Sequence, residues 1–318
     1  MKINGTEFGV ICAASGTLNF FGEGWWYHFW YKLLVPGFKR LYDECTFISK
    51  TTTIDPRAGN MPLKENLQPK ALMPDCIKLY PLKGVVFNSV GLSGPGAQHL
   101  FQANIWQKME RPIVISFMAV GKTMAIRMEE TRRFAAMFFQ YSELFRSPVL
   151  IQFNKSCPNT GHDTTELEPE TIQELEIFKL FKIPVDLKVN VLFSTDLLKI
   201  ISDQKLCEII TVSNTIPYGT CEKYINWKKL FGRTDSPLKY EGGGLSGKVI
   251  FPIVTDKIRE MRAAGITLPI KGGGGIMRPR DVQTMHDAGA EAIEIATVAM
   301  IRPWRVRGIV KKAEKLFK

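Results

Sequence analysis

The sequence predicts an α/β protein, a TIM (β/α)8 barrel with extra segments over one end. Three features support this prediction: short β-branched runs alternate with longer helical patterns, polar residues follow the runs, and glycine clusters follow the last of them. The chain has 318 residues, and a barrel of this type needs about 250, which leaves room for insertions. No repeat, low-complexity tract or linker divides the sequence, so we expect one domain over residues 1–318.

Nine runs have the composition of buried strands, one more than an eight-stranded barrel can use. The ninth run, 85–89, lies within 51–92, which is rich in proline and polar residues and has no helical period long enough for a crossover. We therefore predict that 51–92 forms an excursion over the C-terminal face of the barrel. The eight wall strands are predicted at 9–14, 46–50, 112–118, 149–153, 185–189, 209–213, 268–272 and 292–296. Helices are predicted at 122–145, 166–182, 252–264, 279–288 and 303–317.

Composition and charge limit the classes of function that the protein can have, but they do not select one. The net charge of +11 attracts anions such as a nucleic acid, an acidic membrane surface, or an acidic substrate or cofactor. The six cysteines are scattered and form no C-x-x-C pair, so we expect reduced thiols and no metal site. No run is long and apolar enough for a membrane helix, and the first residues lack a signal-peptide core, which predicts a soluble, cytoplasmic protein.

Polar residues stand where the predicted strands end. In a TIM barrel the C-terminal ends of all strands face one common site, so these side chains are expected to converge. A purely structural role would favour apolar residues there, and the convergence therefore predicts an active site. The residues in question are Ser15, Lys50, Asn154, Lys188, Asn214 and Thr215.

Glycine clusters after the last strands predict a phosphate site. The sequence "IKGGGGIM" (270–277) follows strand seven, "IEIATVAM" (293–300) ends strand eight, and "EGGGLSGK" (241–248) can add further backbone amides. Barrels commonly bind phosphate between the last two loops, where a Cβ would block close approach of the backbone. A glycine run alone often marks only a tight turn, but this position favours a phosphorylated cofactor.

The stretch "QFNKSCPN" (152–159) runs from a strand directly into a cysteine. Cys157 is a candidate general base, although an isolated cysteine is more often a small buried hydrophobe. Asn154 and Asn159 flank it and present the donors and acceptors that match an imide or amide edge. Lys50 and Lys188 can place positive charge against an anionic cofactor ring. Asn88, on the excursion, either closes over the site or belongs to a surface loop.

An aromatic segment, residues 20–38, follows strand one. The favoured interpretation is a packed amphipathic helix. The alternative is a docking face for an electron acceptor or a membrane surface, because the loop after strand one opens on the active-site side. Residues with helical spacing in this segment are Trp25, Trp26, Phe29, Trp30, Leu33 and Leu34.

Seven motifs in order resemble the dihydroorotate dehydrogenases, and most closely their soluble class, which uses a cysteine as base. They are "SK" ending strand two, "FNSVGL", "SCPN", "DLKV", "VSNT", "GGLSG" and "GGGGI". The resemblance runs from about residue 8 to the C-terminus. It implies an FMN-dependent TIM barrel, an oxidoreductase acting on CH–CH groups that converts dihydroorotate to orotate in pyrimidine biosynthesis.

The resemblance also implies a role for each matching residue. Cys157 would take a proton from C5 of dihydroorotate while a hydride passes from C6 to N5 of the flavin, and Lys50 would touch both molecules. The residues implied to bind substrate are Lys50, Asn88, Val90, Gly91, Leu92, Asn154, Asn159, Asn214 and Thr215. Those implied to bind FMN are Ala14, Ser15, Gly16, Lys50, Asn154, Lys188, Val212, Gly247, Gly274, Gly275 and Thr297.

Some features depart from the family and leave alternatives open. Besides the aromatic segment, "TGHDTTELEPE" (160–170) follows the base, and Ala296 stands where glycine is usual. A dihydropyrimidine dehydrogenase-like reduction of uracil or thymine is the first alternative, although those proteins usually carry His at the position of Asn159. A flavoprotein similar to the tRNA dihydrouridine synthases would suit the charge but carries a further helical RNA-binding domain. We therefore expect no nucleic-acid partner.

The electron acceptor and the assembly are the remaining expectations. The soluble classes use fumarate, or NAD through a separate iron–sulfur flavoprotein subunit, and "GGLSG" (243–247) favours the second. The one G-x-G-x-x-G spacing in the chain, at 242–247, does not follow a predicted strand, so use of NAD would require an electron-transfer subunit as partner. The family resemblance also implies a homodimer.

Overall fold

The eight predicted wall strands form a closed, all-parallel barrel in the computed structural model, which describes residues 1–155, 168–240 and 242–317. Each strand pairs with its neighbours along the chain, and strand eight closes the ring by pairing Ile293 with Ile11 of strand one. The prediction of a TIM barrel is confirmed. Wall strands one to eight span Ile11–Ala13, Thr46–Ile48, Ile113–Phe117, Val149–Asn154, Val185–Val189, Ile209–Val212, Ile270–Gly273 and Ala292–Ile295.

Helices connect the wall strands on the outside of the barrel. All five predicted helical patterns contain a helix, although the last begins with a short 3-10 turn at Pro303–Arg305. The α-helices of the described residues are His28–Leu34, Arg40–Asp43, Ala97–Gln102, Met124–Tyr141, Glu168–Leu180, Thr195–Asp203, Trp227–Phe231, Phe251–Ala263, Pro279–Asp287, Thr297–Ile301 and Val306–Phe317. None of these helices is long and apolar enough to cross a membrane.

The longest crossover helix shows how the barrel wall is covered. Thr123 caps the helix Met124–Tyr141, since its side chain accepts a hydrogen bond from the amide of Ile126. The buried face carries Phe134, whose ring stacks on Phe117 of strand three with 3.9 Å between centroids. Both rings are fully buried. The β-branched and aromatic runs form strands here because both faces of the wall are covered.

The excursion forms a second sheet rather than part of the wall. Val85–Asn88 lies at its centre and pairs antiparallel with Ile77–Tyr80 on one side and Gly244–Gly247 on the other. Ile216–Pro217 completes this four-stranded sheet. The prediction that 85–89 stands outside the barrel wall is confirmed. The sheet ties the excursion to the loops that follow strand six.

The aromatic segment contains the short helix His28–Leu34, and this helix is packed on one face only. Its inner face buries His28, whose Nδ1 lies 2.6 Å from the hydroxyl of Tyr42. The outer face is exposed to solvent at Phe29 (65%) and Trp30 (51%). Leu33 and Leu34 are similarly exposed, so the prediction that this face packs against the protein is wrong. Aromatic residues occupy both faces, and on the inner face His28 packs against the rings of Phe38 and Tyr42.

Candidate active site

A cavity of about 310 Å³ opens at the C-terminal ends of the wall strands. That volume and position are typical of ligand sites in TIM barrels. The cavity brings together most of the predicted site residues: Ala14, Ser15, Gly16, Lys50, Asn88, Val90, Gly91, Leu92, Asn154, Lys188, Asn214, Thr215, Gly274, Gly275 and Thr297. Among the described residues, no three His, Cys, Asp or Glu side chains are grouped to bind a metal.

Two of the predicted residues that are described do not line this cavity. Val212 is fully buried at the end of strand six, next to Ser213, which does line it. Gly247 ends a strand of the excursion sheet, and Ser246 beside it lines the cavity. The predicted base Cys157 and the predicted substrate ligand Asn159 lie outside the described residues.

A chain of side-chain hydrogen bonds orients the polar groups of the cavity. Asn214 donates from Nδ2 to Oδ1 of Asn154 over 3.0 Å, and its own Oδ1 accepts from the backbone amide of Thr215. Asn154 in turn donates to the hydroxyl of Thr51, which lies 2.9 Å from the hydroxyl of Ser15. Because each amide is oriented by a neighbour, donors and acceptors have fixed positions, as binding a planar amide or imide requires.

Two lysines supply positive charge to the same cavity. Lys50 donates to the carbonyl oxygen of Ser93 and lies 4.8 Å from the ring centroid of Phe20. Lys188 forms an ion pair with Glu294. Both lysines are more than nine-tenths buried, so water screens their charge only weakly, and Glu294 offsets part of the charge of Lys188.

The glycine-rich end of the cavity is shaped by backbone packing. Gly275 has a φ of +77°, and a Cβ there would lie 2.7 Å from the carbonyl oxygen of Gly247. Gly247 has a φ of +104°, and its own Cβ would collide with the backbone of Gly84. Contacts between loops therefore require glycine at both positions, a reason beyond the phosphate site and the tight turn that the sequence suggested. The hydroxyl of Thr297 donates to that of Ser246 over 3.0 Å at this end of the cavity.

An ion cluster fixes the chain on both sides of residues 156–167. Lys155 contacts Glu170 at 2.8 Å and also pairs with Glu174, and Arg127 binds Glu170 through two nitrogens. Burial tends to raise the pKa of Glu170, but the hydrogen bond from Arg127 and the charge of Lys155 hold it below its ordinary value. Burial raises the pKa of Glu174 to about 7, against the pull of Lys155. The end of strand four is thereby anchored to the following helix.

Several cavity residues were missed in the sequence analysis. Thr51, Ser213 and Ser246 each adjoin a predicted site residue. The predicted loops were therefore correct, but each of these neighbouring residues was left out. Glu294 is a charged residue in the middle of the apolar strand "AIEIA", and that contrast was an available signal. Trp25 and Trp26 also line the cavity, and the indole of Trp25 donates to the carbonyl oxygen of Gly16 over 2.8 Å. Part of the aromatic segment therefore belongs to the site.

A closed parallel barrel with oriented amides, two buried lysines and a glycine-rich end is typical of an enzyme that binds a phosphate-bearing cofactor and a small polar substrate. The chain belongs to the dihydroorotate dehydrogenase family, whose model matches residues 38–316. Members of this family are FMN-dependent oxidoreductases that act on CH–CH groups. The fold and the family agree.

Individual relatives agree with the family match. The protein named dihydroorotate dehydrogenase B (NAD(+)), catalytic subunit, from Anoxybacillus flavithermus is 27% identical over 311 residues, which cover 96% of this chain and 86% of the relative. The protein of the same name from Caldicellulosiruptor saccharolyticus is 29% identical over 308 residues, or 92% of this chain and 85% of the relative. The crystal structure of DHODH from Eimeria tenella in complex with ferulenol matches with a TM-score of 0.68 and 18% identity, covering 98% of this chain and 82% of that one. This last likeness supports the fold.

The residues present fit FMN. Hydroxyls of Ser246 and Thr297 and the backbone at Gly274 and Gly275 suit a phosphate. A Cβ at Gly16 would meet no protein atom within 4 Å, so this backbone faces open space beside the cavity. The ammonium group of Lys188, paired with Glu294, lines the cavity at the strand ends, where it can face a flavin ring that becomes more negative on reduction.

Proposed function

We propose that this chain oxidises dihydroorotate to orotate in pyrimidine biosynthesis, with FMN as its cofactor and Cys157 as the general base. The observation that supports this most strongly is the hydrogen-bonded series Asn214–Asn154–Thr51, which shares one cavity with Lys50 and the glycine-rich end. Oriented amides suit the imide and ureide groups of a dihydropyrimidine ring. A buried cation beside them suits a carboxylate substituent.

The cofactor's phosphate would be bound by Ser246, Gly274, Gly275 and Thr297, and its ring would lie against Lys188 and the end of strand one. When bound, FMN supplies the electron acceptor for the hydride that leaves C6 of the substrate. The chain contributes binding, orientation and charge to that step. Lys188 and Lys50, both nearly buried, favour a ligand that becomes more negative.

The substrate would be bound between the excursion and the strand ends. Asn154 and Asn214 would donate to and accept from the pyrimidine ring, and Asn88 would approach from the excursion sheet. Lys50 and the backbone of 90–92 would bind the carboxylate. All these residues line the cavity, and the hydrogen bonds among the amides hold them in place before substrate arrives, which lowers the entropic cost of binding.

The proton at C5 requires a base, and we assign this role to Cys157 on chemical grounds. In the thiolate form the sulfur accepts the proton as the C5–H bond breaks, and the electron pair of that bond enters the new C5–C6 double bond. Cys157 follows the cavity residue Asn154 by three positions in the sequence. Three residues span at most about 11 Å, so a side chain at this spacing can reach a ligand beside Asn154. The other five cysteines are not among the residues that line the cavity.

Electrons must then leave the flavin, and we propose that a separate subunit receives them. The relatives' names describe catalytic subunits of NAD(+)-linked enzymes. The one G-x-G-x-x-G spacing of this chain, at 242–247, runs into the excursion-sheet strand Gly244–Gly247 and does not form the strand-to-helix turn that binds a dinucleotide. A homodimer, a single domain over residues 1–318 and a cytoplasmic location remain predictions. Gel filtration of the purified chain, alone and with a candidate subunit, tests the assembly.

The role of Cys157 is tested with Cys157→Ala and with Cys157→Ser, which retains a weaker base. We expect Cys157→Ala to retain flavin and to lose about 10²–10⁴-fold in the rate of flavin reduction by dihydroorotate. Cys221→Ala is the matched control, because Cys221 is half-buried and does not line the cavity. Full activity of Cys157→Ala with bound flavin would contradict the assignment.

A further inference from the structure

Four charged side chains lie inside the barrel, two that line the cavity and two behind them. Lys271 of strand seven and Asp186 of strand five are fully buried, and 2.6 Å separates the ammonium nitrogen from the carboxylate oxygen. Lys188 and Glu294 form a second ion pair that is almost as buried. Lysines and carboxylates are almost never fully buried unless they are paired. The set has two positive and two negative charges, so it is neutral as a whole.

The two ion pairs are joined through Glu294. One of its carboxylate oxygens pairs with Lys188, and the other lies 4.0 Å from the ammonium nitrogen of Lys271. Gln152 bridges the two acids, because its Nε2 donates to Asp186 over 2.9 Å and to Glu294 over 3.4 Å. Glu294 therefore lies between two lysines, and its position depends on both.

The network runs from the closed interior of the barrel to the cavity. Lys188 and Glu294 line the cavity, whereas Lys271 and Asp186 lie behind them in the wall strands and do not. Burial would lower the pKa of Lys271, but the charges of Asp186 and Glu294 raise it above its ordinary value. Lys271 is thus a permanent cation behind Glu294, out of reach of solvent and of substrate.

We propose that Glu294, backed by Lys271, is a positioning residue that sets how much positive charge Lys188 presents to the flavin. Through that charge it sets the midpoint potential of the cofactor. The carboxylate holds the ammonium group in place and offsets part of its charge. A reduced flavin carries more negative charge than an oxidised one, so a change in net charge at this short range alters the two states unequally. The inference rests on the flavin site of the proposed function and not on dihydroorotate as substrate.

Two isosteric substitutions change the net charge of the network in opposite directions. Glu294→Gln removes a negative charge and leaves an acceptor for Lys188, so it should favour the reduced flavin and raise the midpoint potential. Lys271→Met removes a positive charge without touching the cavity, so it should lower the potential. We expect each to change the ratio of affinities for reduced and oxidised flavin by about tenfold, which is about 30 mV for a two-electron couple. The double variant restores neutrality and should return towards the unmodified value.

The experiment is an anaerobic dye-equilibration titration of each flavin-loaded variant, with dithionite or an enzymatic reductant and no dihydroorotate. Dissociation constants for oxidised FMN and thermal melts are measured on the same samples. Glu291→Gln is the control, since Glu291 lies three residues before Glu294 but pairs with Arg262 at the exposed end of strand eight. We expect its potential to be unchanged.

Opposite shifts for the two single variants, with recovery in the double variant, support the proposal. Folded variants that shift the potential in the same direction, or not at all, would overturn the proposal. A merely structural role predicts lower melting temperatures for both variants, but it does not predict opposite shifts in the midpoint potential. If Glu294→Gln fails to fold, Asp186→Asn provides a second removal of negative charge and must raise the potential. If dihydroorotate proves not to be the substrate, these potentials still test the network.

Discussion

The barrel wall and the aromatic segment are both rich in apolar residues, yet the protein covers them differently. All five residues of strand Val185–Val189 are buried, including Asp186 and Lys188. In the helix His28–Leu34 only His28 is buried, while Phe29 and Trp30 face solvent. Periodicity shows which residues share a face, but it does not show which face the rest of the protein covers. Strand patterns escape this ambiguity in a closed barrel because both faces are always covered.

Of the substitutions that compare the two regions, we expect the largest loss of unfolding free energy for one in the barrel wall, at Phe117. This ring is fully buried on strand three and stacks on Phe134. Phe117→Ala should lower the free energy of unfolding by about 3–5 kcal/mol, because it removes buried contacts and leaves a cavity. Urea unfolding followed by circular dichroism measures the change. A loss below about 1 kcal/mol would mean that the barrel interior is packed far less tightly than these contacts indicate.

The inner face of the aromatic segment predicts a smaller, pH-dependent effect. Burial, together with the nearby charge of Lys32, lowers the pKa of His28 to about 3, from an ordinary value near 6.5. Between these values the unfolded chain binds a proton that the folded chain does not, so the stability falls as the pH drops below about 6.5. At pH 5 this group alone should cost about 2 kcal/mol relative to pH 7.

The matched variant for that prediction is His28→Gln, which keeps an acceptor for the hydroxyl of Tyr42 but cannot titrate in this range. The difference in unfolding free energy between pH 7 and pH 5 should shrink by about the same 2 kcal/mol in the variant. An equal pH dependence in the two proteins would show that folding does not lower the pKa of His28.

The outer face predicts the smallest effect. Phe29→Ala should change the free energy of unfolding by no more than about 0.5 kcal/mol, since the ring is already 65% exposed. The same urea titration as for Phe117→Ala gives the comparison directly. A loss of several kcal/mol would mean that Phe29 is covered in the folded protein in solution.

Much of the barrel was predictable because its signals are local. Each wall strand was found within two residues at either end, and 85–89 was placed outside the wall by counting strands and by the composition of 51–92. The excursion sheet was harder. Its strand Gly244–Gly247 comes from a glycine cluster with no strand propensity, and it forms only by pairing with Val85–Asn88 far away in the sequence.

Site residues could be predicted where a polar side chain stands at the end of a predicted strand, as at Lys50, Asn154 and Asn214. The ion-pair partners of the buried charged residues could not be predicted in the same way. The pairing of Lys188 with Glu294 joins strands five and eight, and only the closed ring brings these strands to opposite sides of one interior. Charged residues within apolar strands were the available signal, and they indicate an internal partner without naming it.

The central claim is that this cavity holds FMN and oxidises dihydroorotate, and an anaerobic absorbance titration of the purified protein tests it most directly. Dihydroorotate and dihydrouracil are added to parallel samples, and the flavin band near its visible maximum is followed. We predict that dihydroorotate bleaches the band and that dihydrouracil leaves it unchanged. Bleaching by dihydrouracil alone, with dihydroorotate inert, would contradict the account and assign the chain to pyrimidine reduction.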